Sequence, residues 1–208
     1  MLQLIELFAV IASSIYGALL ARRKELDFVG VFSVAFVMAF GGGTLRDVLL
    51  DRHPLFWISN AHYPVLVFVI AAVLTPLRRL PTQTERWLNV PDALGLGLFS
   101  LVGAGYALEA GTTVFIATLF GVITGTFGGV IGDVLCNEVP SIFRPSTPLY
   151  ATCSFCGCWV YIAVRQVAAE PVALWIGIAT VLVMRLIALR WDVRLPAVRL
   201  KSSEDSGS

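Results

Sequence analysis

The chain has 208 residues, 57% of them hydrophobic and only 14% charged, with a formal net charge of +1. Its mean hydropathy of +0.82 is more than a soluble domain sustains, because such a domain must clothe its surface in polar groups. A charge so near zero gives no footing to a nucleic-acid partner, and the balance is that of an integral membrane protein with little mass outside the bilayer.

A membrane span requires about 20 mostly apolar residues. Seven candidates follow one another at roughly 2–20, 28–45, 63–77, 92–109, 113–131, 148–165 and 172–189. The first has no basic leader, carries Glu6 and is followed by Arg22-Arg23-Lys24, so it reads as a retained span and not as a cleaved signal peptide. The second runs into FGGGTLRDVLLDR, Phe40 to Arg52, and the fifth into FGGVIGDVLCNEVP, Phe127 to Pro140. The third is short. The sixth contains Cys153, Cys156 and Cys158, and the seventh holds Arg185 within VLVMRLIALRW. Residues 197–208 form a polar tail.

Loop charges set the expected orientation. With the N-terminus outside, the inner loops collect Arg22, Arg23, Lys24, Arg78, Arg79, Arg86, Arg144, Arg190, Arg194, Arg199 and Lys201, while the outer loops hold only Arg46, Arg52 and Arg165. Eleven basic residues against three is a strong positive-inside bias. It predicts seven spans, N-terminus outside and C-terminus cytoplasmic.

The two glycine stretches overlay at a constant offset of 86 residues. Gly42-Gly43 falls on Gly128-Gly129, Asp47 on Asp133, Val48-Leu49 on Val134-Leu135, Pro54 on Pro140 and, upstream, Gly17-Ala18 on Gly103-Ala104. Co-registered matches of this kind indicate an internal duplication: residues 1–80 as one three-helix repeat, 91–166 as the second, and 172–190 as a seventh helix outside it. Three helices per copy is an odd number, so the copies lie in opposite membrane orientations. Inverted repeats with interrupted helices are a common architecture for transport proteins, with the solute site near the midplane.

Gly41, Gly42 and Gly43, and their counterparts Gly128 and Gly129, cost a helix roughly 1 kcal/mol each relative to Ala. The expectation is a break that frees carbonyls along a wet path; the plainer use is close helix packing, which suits Gly95, Gly97, Gly103 and Gly105. Asp47 and Asp133 stand at equivalent positions and have two uses. They attract cations along a path, or they pair with Arg46 and Arg185 and cap the segment after each break. Arg185 either snorkels to the headgroups or turns inward to neutralise an Asp. Thr44, Thr124, Thr126, Ser13 and Ser14 are candidate pore-lining hydroxyls, or back-bond to their own helices.

The cysteines lie at i, i+3 and i+5, do not share a helix face and have no nearby His, so no metal site is expected. His53 and His62 read as interfacial. No phosphate-cradling glycine loop and no Ser/His/Asp constellation occurs, so neither an enzyme nor a cofactor is expected.

Several stretches carry a resemblance: the duplicated Gly-Gly segments, each followed by an Asp, DALGLGLFSLVGAGYAL opening the fourth span, GDVLCNEVP closing the fifth, and the MRLIALRWDVRLP tail. Together they resemble the prokaryotic members of the trimeric intracellular cation channel (TRIC) family, over about residues 5 to 197; the same bacterial group is also labelled a glycine-transporter domain. The resemblance implies a homotrimer in the bacterial inner membrane, in contact with lipid. Each subunit would have its own pore, kinked at Gly41 to Gly43 and at Gly128-Gly129. It also implies conduction of monovalent cations, potassium foremost and sodium second. One departure is visible: the first copy reads TLRD and the second VIGD, so Arg46 has Gly132 opposite it. The lysine-containing lipid motif of the animal members has no clear match, so phosphoinositide control is not transferred. The residues by themselves leave two functions open, a passive cation channel and a secondary transporter of a small zwitterion such as glycine.

Overall fold

Helices are the only regular structure among residues 1–77 and 84–196, which the computed structural model describes, with backbone alone at 84–87. Arg78, Arg79, the Arg86 side chain and the tail with Arg199 and Lys201 lie outside the described residues. The elements are α1 (Leu2–Arg23), α2 (Phe28–Leu49), α3 (Phe56–Ser59), α4 (His62–Leu74), α5 (Thr84–Glu109), α6 (Val114–Leu135), a 3-10 turn (Ser141–Phe143), α7 (Ala151–Val164) and α8 (Glu170–Trp191). Five apolar helical stretches, α1, α2, Leu88–Glu109 of α5, α6 and α8, are 22 residues long. At 1.5 Å per residue each extends about 33 Å, enough for the hydrocarbon core. The apolar helices α4 and α7 have 13 and 14 residues and extend about 20 Å.

Local chemistry sets the ends. Asp27 caps α2 by accepting the Gly30 N–H at 2.8 Å, and Arg22 and Arg23 occupy the last turn of α1, where the helix dipole favours cations. Two residues beyond α2 and α6 the chain turns left-handed, at Asp51 and Asn137, residue types that tolerate that conformation. These two residues carry the same 86-residue offset.

α5 is the central helix: 83% of its apolar stretch is buried, and it packs on α1, α6, α7 and α8. α1, α2 and α4 contact one another, as do α5, α6 and α7, and the two groups meet along α1–α5 and α2–α6. Phe68, Val69 and Val73 of α4 and Trp175, Val183 and Leu186 of α8 are exposed large apolar residues, an outer surface suited to lipid.

Two sequence expectations are corrected. The second and fifth spans do not stop at residues 45 and 131, because α2 and α6 run on to Leu49 and Leu135. Nor does the chain unwind at Gly41–Gly43 or Gly128–Gly129: both segments are helical throughout. The reason is tertiary. Burial of the glycine faces against a neighbouring helix offsets their weak propensity, and Arg46 and Asp47 are neutralised within the fold, so neither acts as a stop.

Candidate functional site

The glycine clusters mark the place where α2 crosses α6. A Cβ on Gly42 would lie well inside 3.0 Å of the Thr124 carbonyl oxygen, and one on Gly128 equally close to the Met38 carbonyl. Neither backbone atom can move aside cheaply. A Cβ on Gly43 would strike the Phe56 ring, one on Gly41 would sit 3.1 Å from Ile131 Cδ1, and one on Gly129 meets only the Tyr150 hydroxyl at 3.5 Å.

One turn beyond Gly42, α2 places Arg46 in the interior with no exposed surface. Its Nη2 lies 3.0 Å from Glu6 Oε1 of α1 and 2.8 Å from Asp47 Oδ1, and its Nε donates to Asp47 Oδ1 at 2.9 Å. The guanidinium stands 4.6 Å from the Tyr106 ring centroid and 5.2 Å from that of Phe56, and the Arg52 guanidinium lies 3.6 Å from the same Tyr106 centroid. Asp47 Oδ2 accepts the Phe56 N–H at 2.9 Å, which ties the start of α3 to α2. This cluster lies toward one end of the bundle, in the last turn of α2.

Toward the other end lies a polar cavity of about 540 Å³ whose walls include Tyr16, Asp92, Asp133, Glu138, Arg144 and Arg185. It continues inward as two small voids of about 10 and 20 Å³ that share Tyr16, Asp92, Gly129 and Tyr150, each with room for about one water. The inner void reaches Ser13, Met38, Thr124 and Gly128, at the α2–α6 crossing. Cavities that share Tyr16 and Asp92 therefore lie between the open vestibule and the glycine crossing.

Arg185 stands on the vestibule wall. Its Nη1 donates to the carbonyls of Pro148 and Leu149 at 2.9 and 3.0 Å, and its Nη2 reaches Asp92 Oδ2 at 3.3 Å. Tyr150 donates its hydroxyl to Asp92 Oδ1 at 2.9 Å, and its ring lies 4.7 Å under the guanidinium. Arg185 has turned inward, and its carboxylate is Asp92, not Asp47 or Asp133. Asp133 Oδ2 instead accepts the Ser141 N–H and hydroxyl at 2.8 and 3.0 Å, holding the 3-10 turn as Asp47 holds α3.

The hydroxyls divide. Thr124, Thr126 and Ser14 back-bond to the carbonyls of Phe120, Val122 and Ile11, and Thr44 accepts the Trp57 indole N–H at 3.0 Å. Thr124 and Ser13 also border the inner void, and Thr126 the outer one. Cys153 and Cys158 are buried free thiols and Cys156 is half-buried.

At the vestibule mouth, Lys24 pairs with Glu138, and Arg144 Nη2 lies 3.1 Å from the same carboxylate. The Lys24 ammonium, by its hydrogen bond and its charge, holds the Glu138 carboxyl below the usual range, with Arg144 and Arg23 adding to it. Burial pushes the nearby Cys136 thiol up.

Sequence reasoning missed Glu6 and Asp92 as site residues, and Tyr16, Tyr106 and Tyr150 with them. The signal for the acids was present, since Glu6 and Asp92 are themselves separated by the 86-residue repeat offset.

The family model described as Glycine transporter matches residues 3–79 and 89–166. The UPF0126 inner membrane protein YadS of Escherichia coli strain K12 is 38% identical over 190 residues, 90% of this chain and 91% of that one. A solved TRIC trimeric intracellular cation channel orthologue from Rhodobacter sphaeroides is 34% identical with a TM-score of 0.86, over 92% of this chain and 98% of that one. A second solved TRIC cation channel is 32% identical with a TM-score of 0.85, over 97% and 98% of the two chains. The polar cavities beside paired glycines lie in a fold these proteins share, and the chain belongs to their family, the prokaryotic TRIC-type membrane proteins.

Proposed function

We propose that the protein is a monovalent cation channel, with potassium as its main ion, operating as a homotrimer with one pore in each subunit. The observation that carries this reading is the set of polar cavities between the 540 Å³ vestibule and the Gly42–Gly128 crossing. Carboxylates of Asp92 and Asp133 on their walls suit a cation over an anion. The channel activity and trimeric assembly named for the solved relatives support it.

In this reading α1, α2, α4, α5, α6, α7 and α8 are the seven spans, with α4 and α7 the two short ones. Residues 1–80 and 91–166 are inverted repeats, and bending at the paired glycines widens the α2–α6 crossing without unwinding either helix. The basic vestibule end faces the cytoplasm by the positive-inside rule, in a bacterial inner membrane, as YadS is placed.

The description of the matching family model favours a second reading, transport of a small zwitterion such as glycine. Single-channel recording of the purified protein in a planar bilayer under a potassium chloride gradient separates the two. Discrete current steps reversing near the potassium equilibrium potential are expected. A silent bilayer from folded, inserted protein, with saturable uptake of labelled glycine into liposomes, would overturn the channel reading.

A further inference from the structure

Arg185 holds an unusual set of partners for an arginine inside an apolar bundle. Its donors meet two backbone carbonyls and one carboxylate oxygen, with the Tyr150 oxygen bonded to that same carboxylate. Carbonyl, carboxylate and hydroxyl oxygens at short range are what a hard inorganic cation takes as ligands. We propose that Asp92, with the carbonyls of Pro148 and Leu149, is a potassium-class cation site on the conduction route, and that Arg185 is its tethered occupant in the closed state.

Three observations support the exchange. First, the site is on the route: Asp92 borders the vestibule and both inner voids, so a cation entering from the open end meets it before the glycine crossing. Second, the arginine is loosely fastened to the acid. The 3.3 Å separation exceeds the roughly 2.7–2.9 Å of a strong charge-assisted bond, and Arg185 Nε is buried with no hydrogen-bond partner. Displaced, the guanidinium has a wet destination, since Asp133 and Glu138 stand on the same vestibule wall.

Third, the arrangement has a counterpart one repeat away. Glu6, 86 residues before Asp92, is also held by a buried arginine, Arg46, at 3.0 Å. The same Arg46 nitrogen also lies 2.8 Å from Asp47 Oδ1, so one guanidinium answers two buried carboxylates. Arg46 comes from α2, whereas the position equivalent to it in α6 is Gly132, and the missing charge is delivered from α8. Two different helices thus supply the same thing, a guanidinium at the repeat-equivalent carboxylate. Glu6–Arg46 is then the second such latch, toward the other end.

The inference rests on the channel reading, and the test keeps the two apart. Thermal unfolding of purified protein is followed in potassium chloride and, at matched ionic strength, in choline chloride; potassium flux into liposomes is measured in parallel. Arg185→Gln is expected to make the melting temperature rise with potassium but not with choline, because the emptied site now takes the ion. The dependence is expected to vanish in Arg185→Gln with Asp92→Asn. Flux should rise about tenfold in Arg185→Gln, within the range of site-to-site couplings, and fall by a similar factor in Asp92→Asn. Should Arg185→Gln fail to fold, Arg185→Lys, which keeps the charge but cannot span all three oxygens, is expected to show a weaker potassium dependence and an intermediate flux. A folded variant with no potassium-specific stabilisation and unchanged flux would overturn the cation site while leaving a conducting wild type as a channel. Potassium-specific stabilisation in a protein that never conducts would keep the site and remove the channel.

Discussion

Gly42 and Gly128 cross back to back, each making room for the backbone carbonyl four residues before the other, Thr124 for Gly42 and Met38 for Gly128. The contact is reciprocal under the 86-residue offset, as a local two-fold axis requires. Ala at either position forces the helix backbones apart, so Gly42→Ala and Gly128→Ala are expected to lose about 1–3 kcal/mol, the usual cost of overpacking. Gly129→Ala is the internal control: its Cβ meets only the Tyr150 hydroxyl at 3.5 Å, and Ala gains up to about 1 kcal/mol of helix propensity. Melting temperatures of the three variants in one detergent check the ranking.

The Arg46 cluster is expected to tolerate paired removal better than single removal. Arg46→Gln leaves Glu6 and Asp47, each about 1% exposed, without their shared cation. Breaking a buried pair from one side costs about 3–5 kcal/mol. Adding Glu6→Gln removes one of the stranded charges and should restore part of the loss. A thermal-unfolding double-mutant cycle reads this directly, and simple additivity would show that the pair is not coupled.

Asp47 and Asp133 have matching backbone roles but different surroundings. Asp47 is sealed beside Arg46, whereas Asp133 borders the vestibule. Asp133→Asn should therefore lower cation over anion preference, seen as a shift of the reversal potential in a potassium chloride gradient. Its stability cost is that of a weakened cap, about 1 kcal/mol. Asp47→Asn should do the reverse, with the larger effect on melting temperature and the smaller one on reversal potential.

Glu138 gives a pH dependence of known sign. Its carboxyl is held below the ordinary Glu value of 4.5 by Lys24, so the folded state keeps the charged form more strongly than the unfolded chain does. The loop contact with Lys24 and Arg144 is at full strength above pH 4.5 and is lost as pH falls through the lower folded value. Melting temperature followed through that acidic range should fall less steeply in Glu138→Gln than in the wild type. High salt should shrink the difference, because the pair is exposed to solvent.

Apolar runs located most of the long helices to within about four residues, but α5 begins at Thr84, well before the predicted 92, and the short α3 was not foreseen. The ends of α2 and α6 were not legible. Arg46 and Asp47 look like stops until their partners are known, and Glu6 lies 40 residues upstream of Arg46. The glycine pairs stood out, yet their use did not. A break and a close crossing have the same sequence signature, and only the proximity of Thr124 and Met38 decides between them. Arg185 was identifiable as an interior charge, but Asp92 passed unnoticed at the head of an apolar helix. Its importance depends on a residue 93 positions away, in α8.

That distance has a consequence for how the chain is made. Glu6 meets Arg46 within the first hairpin to emerge, so its charge is matched almost as soon as it enters the membrane. Asp92 is synthesised long before Arg185, and during that interval α5 carries an acid with no cation to answer it. A chain cut short before α8 would therefore leave Asp92 at the centre of the bundle without the arginine that neutralises it.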